Sequence, residues 1–190
     1  KNSETILWAR NPETVKEINE LHTNEKYLPD AKLTTSLKAS TSIKETVEEA
    51  DVIVMGVPAQ SFRHVLEEAK PFIRPWVPII NLAKGLEIST KMRMSEIVEE
   101  VMPGHPAGVL TGPNLAKEIA QGQMTATVVA CTDPELRTMV QDVLSAGNFR
   151  VYGNPDLYGV ELAGALKNIY AIISGMSAAL GLGENTQAMM

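Results

Sequence analysis

Cysteine occurs once in these 190 residues. That excludes an internal disulfide framework and a metal site built from several thiolates. Cys131 closes the apolar run Thr-Ala-Thr-Val-Val-Ala-Cys and reads as core filler rather than nucleophile. Histidine is nearly as scarce: His22, His64 and His105 show no ligand spacing, so no metal is expected. Positive charge is in deficit. The 17 Lys and Arg against 23 Asp and Glu leave a net charge of -6, which argues against a nucleic-acid or anionic-membrane surface. Long apolar runs are missing as well. The uncharged stretch after Lys167 stops at Glu184 and is interrupted by glycine, short of the roughly 20 residues that a membrane span needs. No signal peptide or anchor is read, which fits the cytoplasm. The sequence opens on Lys rather than Met and closes on Met189-Met190 without a helix cap. It is therefore expected to be the middle of a longer protein, and inactive by itself.

What is present alternates. Thr5 to Ala9 reads as a short buried strand, and Asn11-Pro12-Glu13 opens a helix to about His22. Lys32 to Thr35 is expected as a short strand. Ser42 caps a helix to Glu49, with Glu45 completing a capping box. Val52 to Pro58 is an apolar β-branched run, too short for a helix, and is expected as a buried parallel strand. A helix over about 60–70, a strand over 77–83 and a helix over about 91–102 follow. Then come a strand over 107–112, a short helix over 115–120, a strand over 125–131, a helix from Asp133-Pro134 to about Ala146, and a strand over 149–153. Strand and helix in turn at this spacing predict an α/β fold, a doubly wound Rossmann-type sheet. The long helix after Pro155 changes character and is expected to begin an all-helical second domain. The expected division is a dinucleotide-binding domain over 1–153 and the start of a substrate domain over 154–190.

Ligands of open α/β sheets bind beyond the carboxyl ends of the strands. Four strand ends carry suggestive groups there: Arg10, Val57-Pro58, Lys84-Gly85 and Gly112-Pro113-Asn114. Turns alone would account for any one of them, since Gly and Pro are loop residues. Together on one sheet edge they would make a cleft. An arginine at the end of the second strand of a dinucleotide fold accommodates a ribose 2′-phosphate, where an acid would take the 2′-hydroxyl. Arg10 stands at such a place, although exposed arginines at strand ends are common. The glycine-rich phosphate loop of such folds is not found in these residues.

The final helix is the most informative segment. From Leu157 to Gly183 it carries two charges, Glu161 and Lys167. A lysine in such a helix either snorkels to solvent or is desolvated, which lowers its pKa and makes it a usable proton donor near neutral pH. Gly164, Lys167, Asn168, Ala171 and Gly175 share one face by helical spacing. That face is thin on side chains apart from one ammonium and one amide, as a pocket wall would be.

These segments resemble the NAD(P)-dependent sn-glycerol-3-phosphate dehydrogenases of the bacterial type. The carriers are LWARNPE, NEKYLPD, VIVMGVPAQSFR, NLAKGLE, TGPNLAKEIAQG with TAT, VYGNPDLYGVELAGALKNIYAI, and GLGEN, in order over essentially the whole chain. The resemblance implies reversible reduction of dihydroxyacetone phosphate to sn-glycerol 3-phosphate with NADPH or NADH, NADPH favoured, supplying phospholipid synthesis. It implies Lys167 as general acid/base, and Lys84 as a contact to both substrate and cofactor. Gly112 and Asn114 would line the substrate; Asn114 replaces the serine or threonine of many relatives. Independently of the resemblance, the Asn168 amide next to Lys167 is suited to orient the substrate carbonyl. Arg10, Tyr27 and Ala116 would contact the cofactor. The expected partner is a small phosphorylated substrate, with no nucleic acid and no membrane insertion, and a homodimer is compatible. A β-hydroxyacid dehydrogenase or ketopantoate reductase fits TGPNLAKE and GALKN less well. A regulatory dinucleotide binder without turnover would not need Lys84, Lys167 and Asn168 together.

Overall fold

The computed structural model describes residues 4–189; Lys1 to Ser3 and Met190, the outer bounds of the two expected domains, lie outside them. The chain begins β1 (Ile6–Trp8), α1 (Pro12–Leu21), β2 (Lys38–Ser40), α2 (Ile43–Val47), β3 (Ile53–Met55) and α3 (Ala59–Ala69). After a short 3-10 turn it continues with β4 (Ile79–Asn81), α4 (Met94–Val101), β5 (Ala107–Thr111), α5 (Ala116–Ala120), β6 (Thr125–Ala130), α6 (Pro134–Leu144) and β7 (Phe149–Asn154). Two helices follow, α7 (Leu157–Ala179) and α8 (Glu184–Met189).

Alternation of side chains splits the interior into two cores. Adjacent residues of β4 point to opposite faces of the sheet. Ile79 joins Met55, Phe62, Leu66, Met94, Ile97 and Val98 beneath α3 and α4. Ile80 joins Leu110, Val129, Cys131, Leu136, Val140 and Val151 beneath α6. A sheet covered by helices on both faces is the doubly wound arrangement, and its central strands read as continuous apolar runs for that reason. Each fully buried Ile, Leu or Phe contributes about 1.5–3 kcal/mol from area removed from water. Cys131 lies in this core, where burial pushes its thiol pKa up.

The strands form two sheets, one of order β1-β2 and one of order β3-β4-β5-β6-β7. All pairings are parallel except β5 with β6. The exception has a simple cause. A parallel crossover needs a dozen or more residues, usually with a full helix to return the chain. Between β5 and β6 the connection holds only the five-residue α5, not a full crossover helix, and the chain doubles back antiparallel. From β6 to β7 the eleven-residue α6 permits a parallel return.

The expected strand at Lys32–Thr35 is not formed. Those residues lead into a turn, with the Leu37 amide donating to the Thr34 carbonyl, and the strand lies over Lys38–Ser40 instead. Asn19 of α1 explains the shift: its side-chain amide donates to the Ala39 carbonyl at 2.9 Å and accepts from the Ala39 amide at 2.8 Å. It takes the place of a strand neighbour on the outer edge of β2. The Ser42 cap forms, its hydroxyl accepting from the Glu45 amide at 3.3 Å. The capping box does not close, because the Glu45 carboxylate accepts from Ser40 rather than from Ser42. The terminal segment is also not one helix. The Gly181 amide donates to the Ala178 carbonyl and Leu182 to Ser177, with Gly181 at φ 67°. This is a Schellman ending that needs the left-handed conformation open to glycine.

Replacing Asn19 with Ala leaves a buried amide and carbonyl of Ala39 without partners. A destabilisation on the order of 1–3 kcal/mol is expected in urea unfolding, from unmet buried hydrogen bonds.

Candidate active site

Because β3, β4 and β5 are parallel neighbours, their carboxyl ends lie along one edge. At the end of β4, Asn81 is buried and folds back on its own chain, donating from Nδ2 to the Ala83 carbonyl at 3.1 Å and accepting the Ala83 amide at 2.7 Å. This local turn delivers Lys84 to the edge. The next strand supplies its acceptor: Lys84 Nζ donates to the Gly112 carbonyl at 2.8 Å.

Gly112 is there because β5 and β6 come very close. A Cβ on Gly112 would lie 2.9 Å from Thr127 Cα and 3.0 Å from the Ala126 carbonyl oxygen. Any side chain would force the two strands apart. The Thr127 hydroxyl donates to the Thr111 carbonyl at 2.9 Å and accepts from Asn114 Nδ2 at 3.0 Å. Asn114 Oδ1 is buried and has no hydrogen-bond partner. A buried acceptor without a donor is costly and rare in native proteins. This one belongs to the loop whose backbone folds back on Gly112, the Asn114 amide donating to the Gly112 carbonyl at 2.9 Å.

Helix α7 packs on β5 and β6. Its Lys167 donates to Asn168 Oδ1 at 2.8 Å, which leaves the Asn168 Nδ2 hydrogens free to point outward. Partial desolvation holds the Lys84 ammonium below the usual lysine range, and the positive charge of Lys167 lowers it further. The two ammonium groups are therefore close enough to repel. Lys84, Gly112, Asn114, Lys167 and Asn168 form one cluster of donors with one orphaned acceptor. That set matches a small polyoxygenated anion.

Of the two possibilities for Lys167, reaching solvent or being desolvated, the described residues show the first. Lys167 is exposed, as are Leu166, Ile169, Tyr170, Ile172 and Met176 around it. The helix is covered on the side of the sheet alone, and a side chain is desolvated only where both flanks are covered. Lys84 is exposed as well, at the Gly112 carbonyl that it donates to.

The expected cofactor contacts are more scattered. Arg10 follows β1, in the separate two-stranded sheet, and its guanidinium carbon lies 6.0 Å from the centre of the Trp8 ring. No ion pair holds it among the described residues. Tyr27 is exposed in a turn beside Lys26, and Ala116 begins α5, exposed. The four strand ends thus divide: three share an edge, while Arg10 belongs to a sheet joined to them through packing of Trp8 on the first core. Among the described residues no three His, Cys, Asp or Glu are grouped to hold a metal. No helix of the described residues is long and apolar enough to cross a membrane.

Sequence reasoning missed Asn81 and the support of the loop after Lys84. Arg63 of α3 donates to both oxygens of buried Glu87, at 2.9 and 3.2 Å from Nε, and to Glu100 at 2.9 Å. Hydrogen bonds from Arg63 and then Thr90 hold the Glu87 carboxyl below the usual carboxylate range. Arg63 lies 24 residues from Glu87, so no local pattern announces the pair.

The arrangement is a Rossmann-type α/β unit with a helix laid across the carboxyl ends of its strands. The family described as NAD-dependent glycerol-3-phosphate dehydrogenase N-terminus matches residues 1–137, and the corresponding C-terminus matches residues 156–190. The chain belongs to the NAD-dependent glycerol-3-phosphate dehydrogenase family. It is 53% identical over 188 residues to glycerol-3-phosphate dehydrogenase (NAD(P)+) 2 of Sphingopyxis alaskensis, covering 99% of this chain and 56% of that one. It is 51% identical to the Mycobacterium avium glycerol-3-phosphate dehydrogenase (NAD(P)+), over 98% of this chain and 55% of that one. Among solved structures, glycerol-3-phosphate dehydrogenase from Coxiella burnetii superposes with a TM-score of 0.85 at 34% identity, over 97% of this chain and 56% of that chain. The chain spans about half the length of the curated relatives it matches.

Raising the charge on one lysine lowers the pKa of its neighbour, so removing a charge does the reverse. In Lys167→Met the Lys84 amine should titrate at higher pH than in the parent, by the smaller of its two contributions. Labelling of Lys84 with an amine reagent across a pH series, read by mass spectrometry, measures the displacement. An unchanged Lys84 profile would place the two ammonium groups too far apart to interact.

Proposed function

We propose that this chain carries the central part of an NAD(P)-dependent glycerol-3-phosphate dehydrogenase, interconverting dihydroxyacetone phosphate and sn-glycerol 3-phosphate. The observation that carries the proposal is Lys84 held on the Gly112 carbonyl at the carboxyl edge of the sheet, beside β5, on which the Lys167 helix packs. Family membership supports the reaction class. In this proposal residues 1–153 bind the dinucleotide and 154–190 begin the substrate domain. The two family matches, ending at 137 and resuming at 156, support that division.

The cofactor's donor set fits what is exposed here: the Arg10 guanidinium, free of ion pairs, suits a 2′-phosphate, and Tyr27, Lys84 and Ala116 complete its contacts. When bound, the nicotinamide supplies the hydride, the chemistry the protein itself lacks. The rest falls to side chains. Lys84 keeps one N–H on the Gly112 carbonyl and turns the others to the anionic substrate. Asn168, its carbonyl engaged by Lys167, presents its NH₂ to the substrate oxygen. The Asn114 Oδ1 acceptor takes a substrate hydroxyl. Lys167 gives a proton to the ketone oxygen as negative charge develops there, and takes it back in the reverse direction. The net charge of -6 favours a small-molecule enzyme with no nucleic-acid partner; its proposed place is the cytoplasm, a homodimer its proposed assembly, and glycerol 3-phosphate for phospholipid synthesis its product.

Lys167→Ala in the full-length gene product should lower kcat by about 10²–10⁴-fold while NADPH binding, followed by fluorescence, changes little. Turnover within about threefold of the parent would remove Lys167 from the proton transfer.

Arg10→Asp should weaken NADPH more than NADH. A well-made charge-assisted hydrogen bond to the 2′-phosphate is worth about 1.5–3 kcal/mol, and NADH cannot form it. Equal losses for the two cofactors would mean that Arg10 contacts only what they share.

A further inference from the structure

One charged residue of α7 is not used by this chemistry. Glu161 is 4% exposed in a helix with almost no other polar groups. A carboxylate buried so deeply is retained only where its oxygens are fully matched. Here they are. Oε1 accepts the Ser95 amide at 3.0 Å, and Oε2 accepts the Ser95 hydroxyl and Arg93 Nη1, the latter at 3.0 Å. Ser95 lies in the first turn of α4, where a backbone N–H has no partner inside the helix and negative charge is favoured.

Arg93 is itself held on every side. Its Nη2 pairs with Glu96 at 3.0 Å, and its guanidinium carbon lies 4.6 Å from the centre of the Tyr158 ring. Tyr158 and Glu161 are three residues apart on α7, so one helix face grips the arginine with an aromatic ring and a carboxylate. One turn further, a Cβ on Gly164 would come 3.2 Å from the Thr111 hydroxyl of β5. Asn168 is seven residues beyond Glu161, two helical turns and about 10 Å along the same face. The contacts along that face thus run from α4 to β5 to the lysine and amide.

Arg93 also leads back to Lys84. Its backbone pairs antiparallel with Leu86, and the Glu87 amide donates to the Met92 carbonyl at 2.9 Å. Residues 86–93 are therefore a closed loop, with Arg93 at one foot and Lys84 two residues before the other.

We infer that Glu161 is a positioning residue that sets the separation of Lys84 and Lys167, by locking α7 to Arg93 and Ser95 at the closed foot of the Lys84 loop. Its effect on turnover rests on the function proposed above; its effect on geometry does not. Neutralising Glu161 leaves Arg93 without its counter-charge and lets α7 slide on β5. The lysines then separate, although neither has been altered.

The test uses the full-length gene product in the parent form, as Glu161→Gln, and as Val140→Ala. Val140 is on the buried face of α6 in the second core, so its truncation destabilises without touching the clamp. A short bifunctional amine reagent, mapped by mass spectrometry, should join Lys84 to Lys167 in the parent and in Val140→Ala, and fail in Glu161→Gln. In the same comparison kcat should fall about tenfold or more in Glu161→Gln, since small misplacements of reacting groups are costly. The KM for NADPH should stay within about twofold, because Arg10, Tyr27 and Ala116 lie outside the clamp. Parental cross-linking or parental kcat in a folded Glu161→Gln overturns the inference. So does a parallel loss in Val140→Ala, which would trace the effect to stability alone. If Glu161→Gln shows no cooperative urea transition, Ser95→Ala, which removes one hydroxyl from the carboxylate, is judged by the same two readouts. A parent that does not oxidise NADPH with dihydroxyacetone phosphate refutes the proposed function, and the cross-linking arm still decides the role of Glu161.

Discussion

The structure depends on how an apolar helix is held against the edge of a sheet. Greasy surface has no directional preference, so burial alone would let α7 rotate or slide over β5 and β6. Directional bonds select one register. The buried Glu161 carboxylate, matched by Arg93 and Ser95, is the only ionised group of α7 that is taken out of water. Its desolvation is offset only when all its partners are in place, which makes one seating of the helix far better than its neighbours. Gly164 then allows the close approach to Thr111, and Lys167 follows at a set distance from the sheet.

The same logic governs the strand ends. Asn81 closes the turn after β4, Gly112 lets β5 and β6 touch, and Thr127 and Asn114 tie the loop beyond β5. The result brings Lys84 within the field of the Lys167 charge. Such a pair opposes the fold that creates it. Because the Lys84 pKa is lowered on folding, the unfolded chain binds more protons in the window between the lowered value and the ordinary one. Stability contributed by this group therefore rises with pH across that window. A bound anion would relieve the same repulsion near neutral pH, which is how a site for an anionic ligand can be strained when empty and satisfied when filled.

Two networks share the loop after Lys84. Glu87 is held by Arg63 of α3, and Arg93 is held by Glu161 of α7. Salt bridges at the surface contribute little, but these members are largely buried and hydrogen-bonded at several points, which makes them costly to break and specific in geometry. They connect a helix on one face of the sheet to the helix across its edge, through the segment that carries a candidate substrate contact.

Much was legible in the residues alone, because the signals are local. Asn11-Pro12 and Asp133-Pro134 announce helix starts through capping chemistry, and both helices begin there. The β-branched apolar runs mark strands β3 to β6, since only buried strands need them. The lone lysine of an apolar helix stood out for the same reason. Glu161 was equally conspicuous as the other charge in that run, but its partners lie 66 and 68 residues away, and spacing along a chain says nothing about contacts at that range. Lys32–Thr35 had the look of a strand, yet the outer bond partner of β2 comes from Asn19 of a helix. Composition and short-range pattern determined the α/β order, the core and the candidate lysines, since these follow from burial and backbone bonding within a few residues. Only the tertiary structure decided that β6 runs antiparallel, that Lys84 meets the Gly112 carbonyl, and that Glu161 is clamped, because each depends on where distant segments meet.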